Sequence, residues 1–443
     1  MNYSILEERK KSIIFKNDNA YLDCDKDSIA GSISQRACVY SGARVVLNPI
    51  TDAYHIIHGP IGCAAYTWDI RGSLSSGSEN YRNSFCTDLK EEEIIFGGET
   101  KLKNAIQEVV NRFNAKVIFV YSTCIAGIIG DDVKSVCKDA EKKFGIRAIP
   151  VNSSGFLGTK SKGYKAACEA ILKLMNNKVE KTKEPSVNVI GDFNLAGETW
   201  IIKSYLETVG LKVKSTLTGD SNCELIKSAP NAWLNAVQCA GSMTHLAKRM
   251  NEIYGIPFVK ISFVGIDDTK DSLFKIADFF GDSDILLKTK KLIEIEEIKI
   301  KDDIYHFRDK LKGKKAAIYV GGGFKAISLI KQFDELGMKT VLVGTQTGKK
   351  EEYEIIKSIA PDDAVILDDA NPAELELFLT ENSVDVLVGG VKERPLSYKL
   401  GIAFCDHNHE RKHPLCGFVG AVNFAKEVYE SIESPIWRIV KEI

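Results

Sequence analysis

The sequence predicts an α/β fold built from three doubly wound parallel-sheet domains. Two observations carry that expectation: short β-branched runs alternate with glycine turns and amphipathic helical stretches, and two polar, charged seams interrupt the alternation. The runs are KVIFVYS at 116–122, VNVIGD at 187–192, NAVQC at 235–239, PFVKISFVG at 257–265, AAIYVGG at 316–322, KTVLVG at 339–344 and VDVLVGG at 384–390. The run VIFVYS among them is almost wholly apolar, as a parallel strand covered on both faces is. Between them lie helical patterns such as KLKNAIQEVVNRF and AISLIKQFDELG, whose apolar residues recur at helical spacing.

The first seam, NNKVEKTKEPS at 176–186, is polar and contains a proline, which suits a linker. The second is the long charged amphipathic stretch at 285–314, read as a solvated helix joining two domains. The expected domains are therefore 1–184, 185–300 and 301–443, and ligands are expected where strand ends converge.

Composition narrows the function classes. With 59 Lys and Arg against 60 Asp and Glu the net charge is −1, so no basic footprint marks the 443-residue chain for nucleic acid or an anionic membrane. The N-terminal MNYSILEERKKSIIFKNDNAY has scattered charges and no apolar core of a leader, and no other stretch is long and apolar enough to span a bilayer. A soluble cytoplasmic protein is expected. Its 11 cysteines, an odd number, favour metal ligation and buried thiols over a disulfide framework.

Three of those cysteines stand on turns of small residues: Cys38 in QRACVYSGA, Cys63 in HGPIGCAAYTWDIRGS and Cys124 in VYSTCIAGIIGDD. Thiolates held in this way suggest an iron–sulfur cluster, which usually takes four ligands, so a partner subunit is the simplest source of the fourth. The short CxxC spacing of structural zinc sites is absent. The plain alternative for each is a small buried hydrophobe. Against that, Pro60 and its neighbouring glycines leave room beside Cys63, and Cys124 follows a strand at its ligand-facing end.

A second constellation is dispersed. Cys239 ends NAVQC ahead of the amphipathic AGSMTHLAKRM, a position that suits a thiolate ligand as well as a core cysteine. Near the C-terminus AFCDHNHERKHPLCGFVG gathers His407, His409 and His413, either a solvated polar loop or a source of imidazole ligands for iron. GGGFK at 321–325 lacks the spacing of a phosphate loop and reads as an ordinary glycine turn.

The segments RACVYSGARVVLNPITDAYHIIHGPIGCAAYTWDIRGSLSSGSENYR, VYSTCIAGIIGDDV, GFLGTK, VIGDFNLAGETW, CAGSMTHLAKRMNEIYGIPF and DHNHERKHPLCGF followed by SPIW resemble the nitrogenase component 1 family, from about Ser34 to Trp437. Within it they look most like the scaffold branch on which the iron–molybdenum cofactor is assembled. The resemblance implies three α/β domains of the nitrogenase component 1 type and pairing with a homologous N-type scaffold subunit as a heterotetramer. It implies a [4Fe-4S] cluster at the subunit interface, with Cys38, Cys63 and Cys124 on its ligand positions. It further implies an iron–sulfur–carbon precursor of the iron–molybdenum cofactor, with Cys239 at one end. Counting back from Gly417 puts His407, with Asn408 beside it, where catalytic relatives hold the other end with histidine. Many scaffold subunits lack a histidine there, so His407 is a departure from the branch.

By the same resemblance Arg71 in WDIRGS occupies the family's cationic position near the cofactor, and Lys325 stands near another. Catalytic relatives carry a glutamine and a proton-delivering histidine in the segment matching GFLGTKSKGYK, where this chain has Lys160 and Tyr164. A phenol, titrating near 10, is a poor relay at neutral pH, and a lysine suits an anionic cluster or its organic acid. The expected function is therefore a scaffold holding the precursor while molybdenum and homocitrate are inserted, with no catalytic residue of its own. The nitrogenase iron protein and a precursor-cluster donor protein are the implied further partners. The alternatives are a catalytic subunit of an alternative nitrogenase or nitrogenase-like reductase, and a cluster storage and delivery protein.

Overall fold

A computed structural model describes residues 12–17, 22, 24, 37–67, 83–176, 180–408 and 411–437. It falls into two compact units, one running from Ala37 to Lys260 and the other from Ile261 onward with the N-terminal residues. Among the described residues no helix is long and apolar enough to cross a membrane.

The first unit holds two four-stranded parallel sheets. One has the order β3-β2-β4-β5, from Ser84–Cys86 (β3), Tyr54–His58 (β2), Val117–Ser122 (β4) and Arg147–Asn152 (β5). The other has the order β7-β6-β8-β9, from Lys212–Leu217 (β7), Ser186–Ile190 (β6), Leu234–Val237 (β8) and Phe258–Lys260 (β9). Strand β4 shows why its sequence is apolar throughout. Val117, Phe119 and Tyr121 enter one core with Ile190, Leu217 and Val237 of the neighbouring sheet. Ile118 and Val120 enter another under the helices Glu99–Phe113 and Val133–Phe144. Each such burial is worth about 1.5–3 kcal/mol, and the shared core makes one compact unit of the two sheets.

The second unit is a six-stranded sheet of order β1-β12-β11-β10-β13-β14, with Ile13–Phe15 (β1), Val365–Asp368 (β12), Lys339–Thr345 (β11), Lys315–Val320 (β10), Val386–Gly389 (β13) and Ala403–Asp406 (β14). All pairings are parallel except β1 against β12, an antiparallel edge. The charged stretch at 285–314 becomes the 29-residue helix Ser283–Leu311, and it is not simply solvated. Ile285, Thr289, Leu292, Ile293 and Ile300 form a buried stripe that packs it beside Ile266–Phe280 and Gly417–Ile432.

Candidate metal centre

The carboxyl edge of the first sheet gathers the cysteine-bearing turns. His58, Ser122 and Asn152 end adjacent strands in register, and Cys86 ends β3 beside Ile57. From β2 the chain turns through Gly59 and Pro60 into the short helix Ile61–Thr67, which carries Cys63. From β4 it passes Thr123 and begins the helix Cys124–Ile129 at the cysteine itself. Cys38 caps the helix Val39–Leu47 in extended conformation and bridges to Thr159.

Gly155, just beyond β5, joins two of these thiols. A Cβ there would stand 3.0 Å from Cys124 Sγ and 3.4 Å from the Cys38 Cβ, so Cys38 and Cys124 both lie close to it. Its backbone N–H donates to Cys124 Sγ at 3.1 Å. Cys63 belongs to the same neighbourhood: burial raises its thiol pKa, and the negative potential of Cys124, Cys38 and Cys86 raises it further. Cys38, Cys63 and Cys124 are only half-buried, whereas Cys137, Cys168, Cys405 and Cys416 are buried. Partial exposure distinguishes these three from the fully buried cysteines. Among the described residues no three His, Cys, Asp or Glu side chains converge closely enough for a single metal ion.

A buried polar network braces the edge. His58 is fully buried, with Nε2 2.8 Å from Asp131 Oδ2 and Nδ1 3.1 Å from Thr87 Oγ1. A carboxylate only accepts, so Nε2 carries the proton and Nδ1 accepts from Thr87. Burial lowers the His58 pKa despite the opposing Asp131 charge. Asp131 also accepts twice from Gly98 N, at 2.9 and 3.1 Å, and the His58 carbonyl accepts from Thr123 N at 3.2 Å and Thr123 Oγ1 at 2.9 Å. The network thus ties together the turns bearing Cys63, Cys86 and Cys124. Sequence reasoning missed it because its partners come from distant turns, with only the HGP tripeptide marking the place. It also missed Cys86, whose strand of three residues is too short to show a pattern.

The other expected residues are distributed as follows. Lys160 opens the helix Lys160–Leu172, where Gly163 and Gly42 meet so closely that a Cβ on Gly163 would lie 2.9 Å from the Gly42 Cα. This contact sets the Lys160 helix against the one capped by Cys38. Lys160 Nζ lies 5.9 Å from the Tyr164 ring centroid. Cys239, half-buried, caps the helix Ala240–Tyr254 after β8. Gly191, at φ +86°, backs against it, where a Cβ would come within 3.0 Å of the Cys239 Cβ.

In the second unit His407 follows β14 and is fully buried, its ring edge-on to Phe424 at 5.6 Å between centroids. Among the described residues neither ring nitrogen has a hydrogen-bond partner. Burial holds its pKa well below the usual histidine range, with the Lys325 charge adding to the effect. A neutral imidazole with an unused lone pair is the form that binds metal. Lys325 Nζ donates to the His407 carbonyl at 2.9 Å, so the structure brings these two expected residues together. Beside them Asn408 N donates to Asp406 Oδ1 at 2.7 Å. Arg71 and His409 lie outside the described residues.

Large apolar side chains stay exposed on the chain segments that flank the cysteines: Ile128 (71%) on the Cys124 helix, Phe156 (60%) next to Gly155, and Ile61 and Tyr66 on either side of Cys63. Phe96 (83%) ends the helix Glu91–Phe96, which packs against the Cys124 helix.

The sequence profile of the nitrogenase component 1 type oxidoreductases matches residues 38–433. A Clostridium pasteurianum protein named nitrogenase iron-molybdenum cofactor biosynthesis protein NifE is 61% identical, covering 99% of this chain and 98% of that one. A Methanosarcina barkeri protein of the same name is 53% identical, covering 99% and 97%. Among solved structures, nitrogenase Cp1 at pH 5 superposes with a TM-score of 0.90 at 31% identity, covering 99% of this chain and 97% of that one. Profile, relatives and fold agree, and the chain belongs to the nitrogenase component 1 type oxidoreductase family.

Proposed function

We propose that this chain is a scaffold subunit for biosynthesis of the nitrogenase iron–molybdenum cofactor, holding an iron–sulfur–carbon precursor while molybdenum and homocitrate are inserted. The observation that carries this reading is the half-buried cysteine edge of Cys38, Cys63 and Cys124, in a chain 61% identical to a protein named for that biosynthesis. The three thiols hold a [4Fe-4S] cluster. The exposed Ile61, Ile128 and Phe156 are covered by a homologous N-type subunit, which supplies the fourth ligand in a heterotetramer. Cys239 and His407 are precursor ligands, supported by the strand-end position of the one and, in the other, two ring nitrogens with no partner among the described residues. Lys160, Lys325 and Arg71 supply compensating positive charge for an anionic cluster and homocitrate. The iron protein and a precursor donor act on this complex in the cytoplasm.

His407 also favours a second reading, a catalytic subunit of an alternative nitrogenase, as does the 31% identity to nitrogenase Cp1. Lys160 and Tyr164 weigh against it, since neither offers the proton relay of a neutral histidine. The test is to purify the complex anaerobically, load it with precursor, and supply molybdate, homocitrate, iron protein and MgATP. Activation of a cofactor-deficient nitrogenase component 1, with no acetylene reduction by the complex itself, supports the scaffold. Robust acetylene reduction by the complex alone overturns it.

A further inference from the structure

We propose that Cys86 is a fourth thiolate ligand carried by this chain, able to complete an iron–sulfur cluster on Cys38, Cys63 and Cys124 before any partner docks. The proposal rests on the reading of those three cysteines as cluster ligands. Its first support is position. Cys86 ends β3 on the same carboxyl edge from which the turns of Cys63 and Cys124 leave β2 and β4, and it packs against the same core as Cys38 and Cys63.

The second support is the environment of its sulfur. Asp88 N–H donates to Cys86 Sγ at 3.2 Å, the counterpart of the Gly155 N–H that donates to Cys124 Sγ at 3.1 Å. Backbone N–H groups aimed at sulfur stabilise thiolates and are among the devices by which proteins tune iron–sulfur clusters. Burial raises the Cys86 thiol pKa and the Asp88 carboxylate adds to that, while the Asp88 N–H, Lys101 and Lys90 work against it, Lys101 Nζ being anchored on the Asp88 carbonyl at 3.0 Å. The third support is a resting partner: the thiol donates to the Gly59 carbonyl at 3.4 Å, in the turn that leads into Cys63.

These contacts describe a ligand that can be held and released. In the unpaired chain Cys86 loses its proton and binds the fourth iron. When the partner docks, its incoming thiol replaces Cys86 on that iron and gives up its own proton, and Cys86 regains an S–H that returns to the Gly59 carbonyl. One iron–sulfur bond forms as another breaks, with no change of oxidation state. The ligand change would make partner docking part of cluster loading instead of a precondition for it.

The experiment uses the full-length chain without partner, reconstituted anaerobically with ferrous iron and sulfide, as wild type, Cys86→Ser, Cys86→Ala and the triple Cys38→Ser/Cys63→Ser/Cys124→Ser variant. Wild type should bind a four-iron cluster that survives brief ferricyanide treatment. Both Cys86 variants should lose one iron in four under the same treatment and develop the paramagnetic signal of a three-iron cluster, while melting at the wild-type temperature. Cys86 variants indistinguishable from wild type, with the triple variant iron-free, would overturn the role of Cys86 alone. Full iron loading by the triple variant would instead overturn the underlying cluster assignment.

Discussion

Glu393 offers a quantitative check on the buried polar turn that follows β13. It is 4% exposed, accepts from Gly390 N at 2.9 Å and Gln346 Nε2 at 3.4 Å, and burial pushes its pKa from 4.5 to about 7. Between those two values the folded chain keeps a proton that the unfolded chain has released. Stability therefore falls as pH rises from 4.5 to 7 and levels off above. At about 1.4 kcal/mol per pH unit the shift corresponds to roughly 3 kcal/mol lost by pH 8. Glu393→Gln keeps an oxygen for the Gly390 N–H and cannot ionise, so it should be more stable than wild type at pH 8 by up to about 3 kcal/mol, or roughly 3 °C in melting temperature for a chain of 443 residues. Near pH 4.5 the two should coincide. His55, His58 and His407 have pKa values lowered by burial, so they withdraw stability as pH falls below 6.5, in the opposite sense. The quantity to read is therefore the variant-minus-wild-type difference from circular dichroism melts between pH 4.5 and 8. A difference that does not change with pH would refute the assignment of a buried, protonated Glu393.

Three further outcomes follow from the site. Asp131→Ala leaves the His58 Nε2–H and the Gly98 N–H unpaired in the interior, and should cost about 3 kcal/mol or more in urea unfolding of the isolated chain. A near-wild-type midpoint would show that the network does not brace the cysteine edge. Phe156→Asp puts a charge on an exposed apolar side chain, so sedimentation should show loss of pairing with the N-type subunit while the isolated chain melts unchanged; retained pairing would remove Phe156 from the interface. Cys239→Ala should loosen the precursor more than His407→Ala, since it removes a charged ligand, and equal occupancy in wild type and Cys239→Ala by iron analysis would remove that cysteine from the site.

Much of this was legible in the sequence where the signal is local. Strands buried on both faces, such as Val117–Ser122 and Lys315–Val320, announce themselves as apolar runs. Strands with polar or edge positions do not: Tyr54–His58 carries two histidines, and Ser84–Cys86 and Ile13–Phe15 have three residues each. The three turn-borne cysteines could be picked out from their small neighbours, but the approach of Cys38 and Cys124 around Gly155 depends on the parallel register of the strands. Cys86 and the His58–Asp131 pair become visible only once that register is known, because their partners are 27 and 73 positions away. The amphipathic stretch at 285–314 was seen as a helix, yet its buried stripe needed the neighbouring helices to reveal its meaning.

The central claim is that Cys38, Cys63 and Cys124 together hold an iron–sulfur cluster. Its most direct measurement is the iron content and low-temperature paramagnetic spectrum of the anaerobically purified complex, wild type against Cys38→Ala, Cys63→Ala and Cys124→Ala. The account predicts that each substitution removes or degrades the interface cluster and weakens subunit pairing. Unchanged iron, an unchanged spectrum and an intact heterotetramer in all three variants would contradict it.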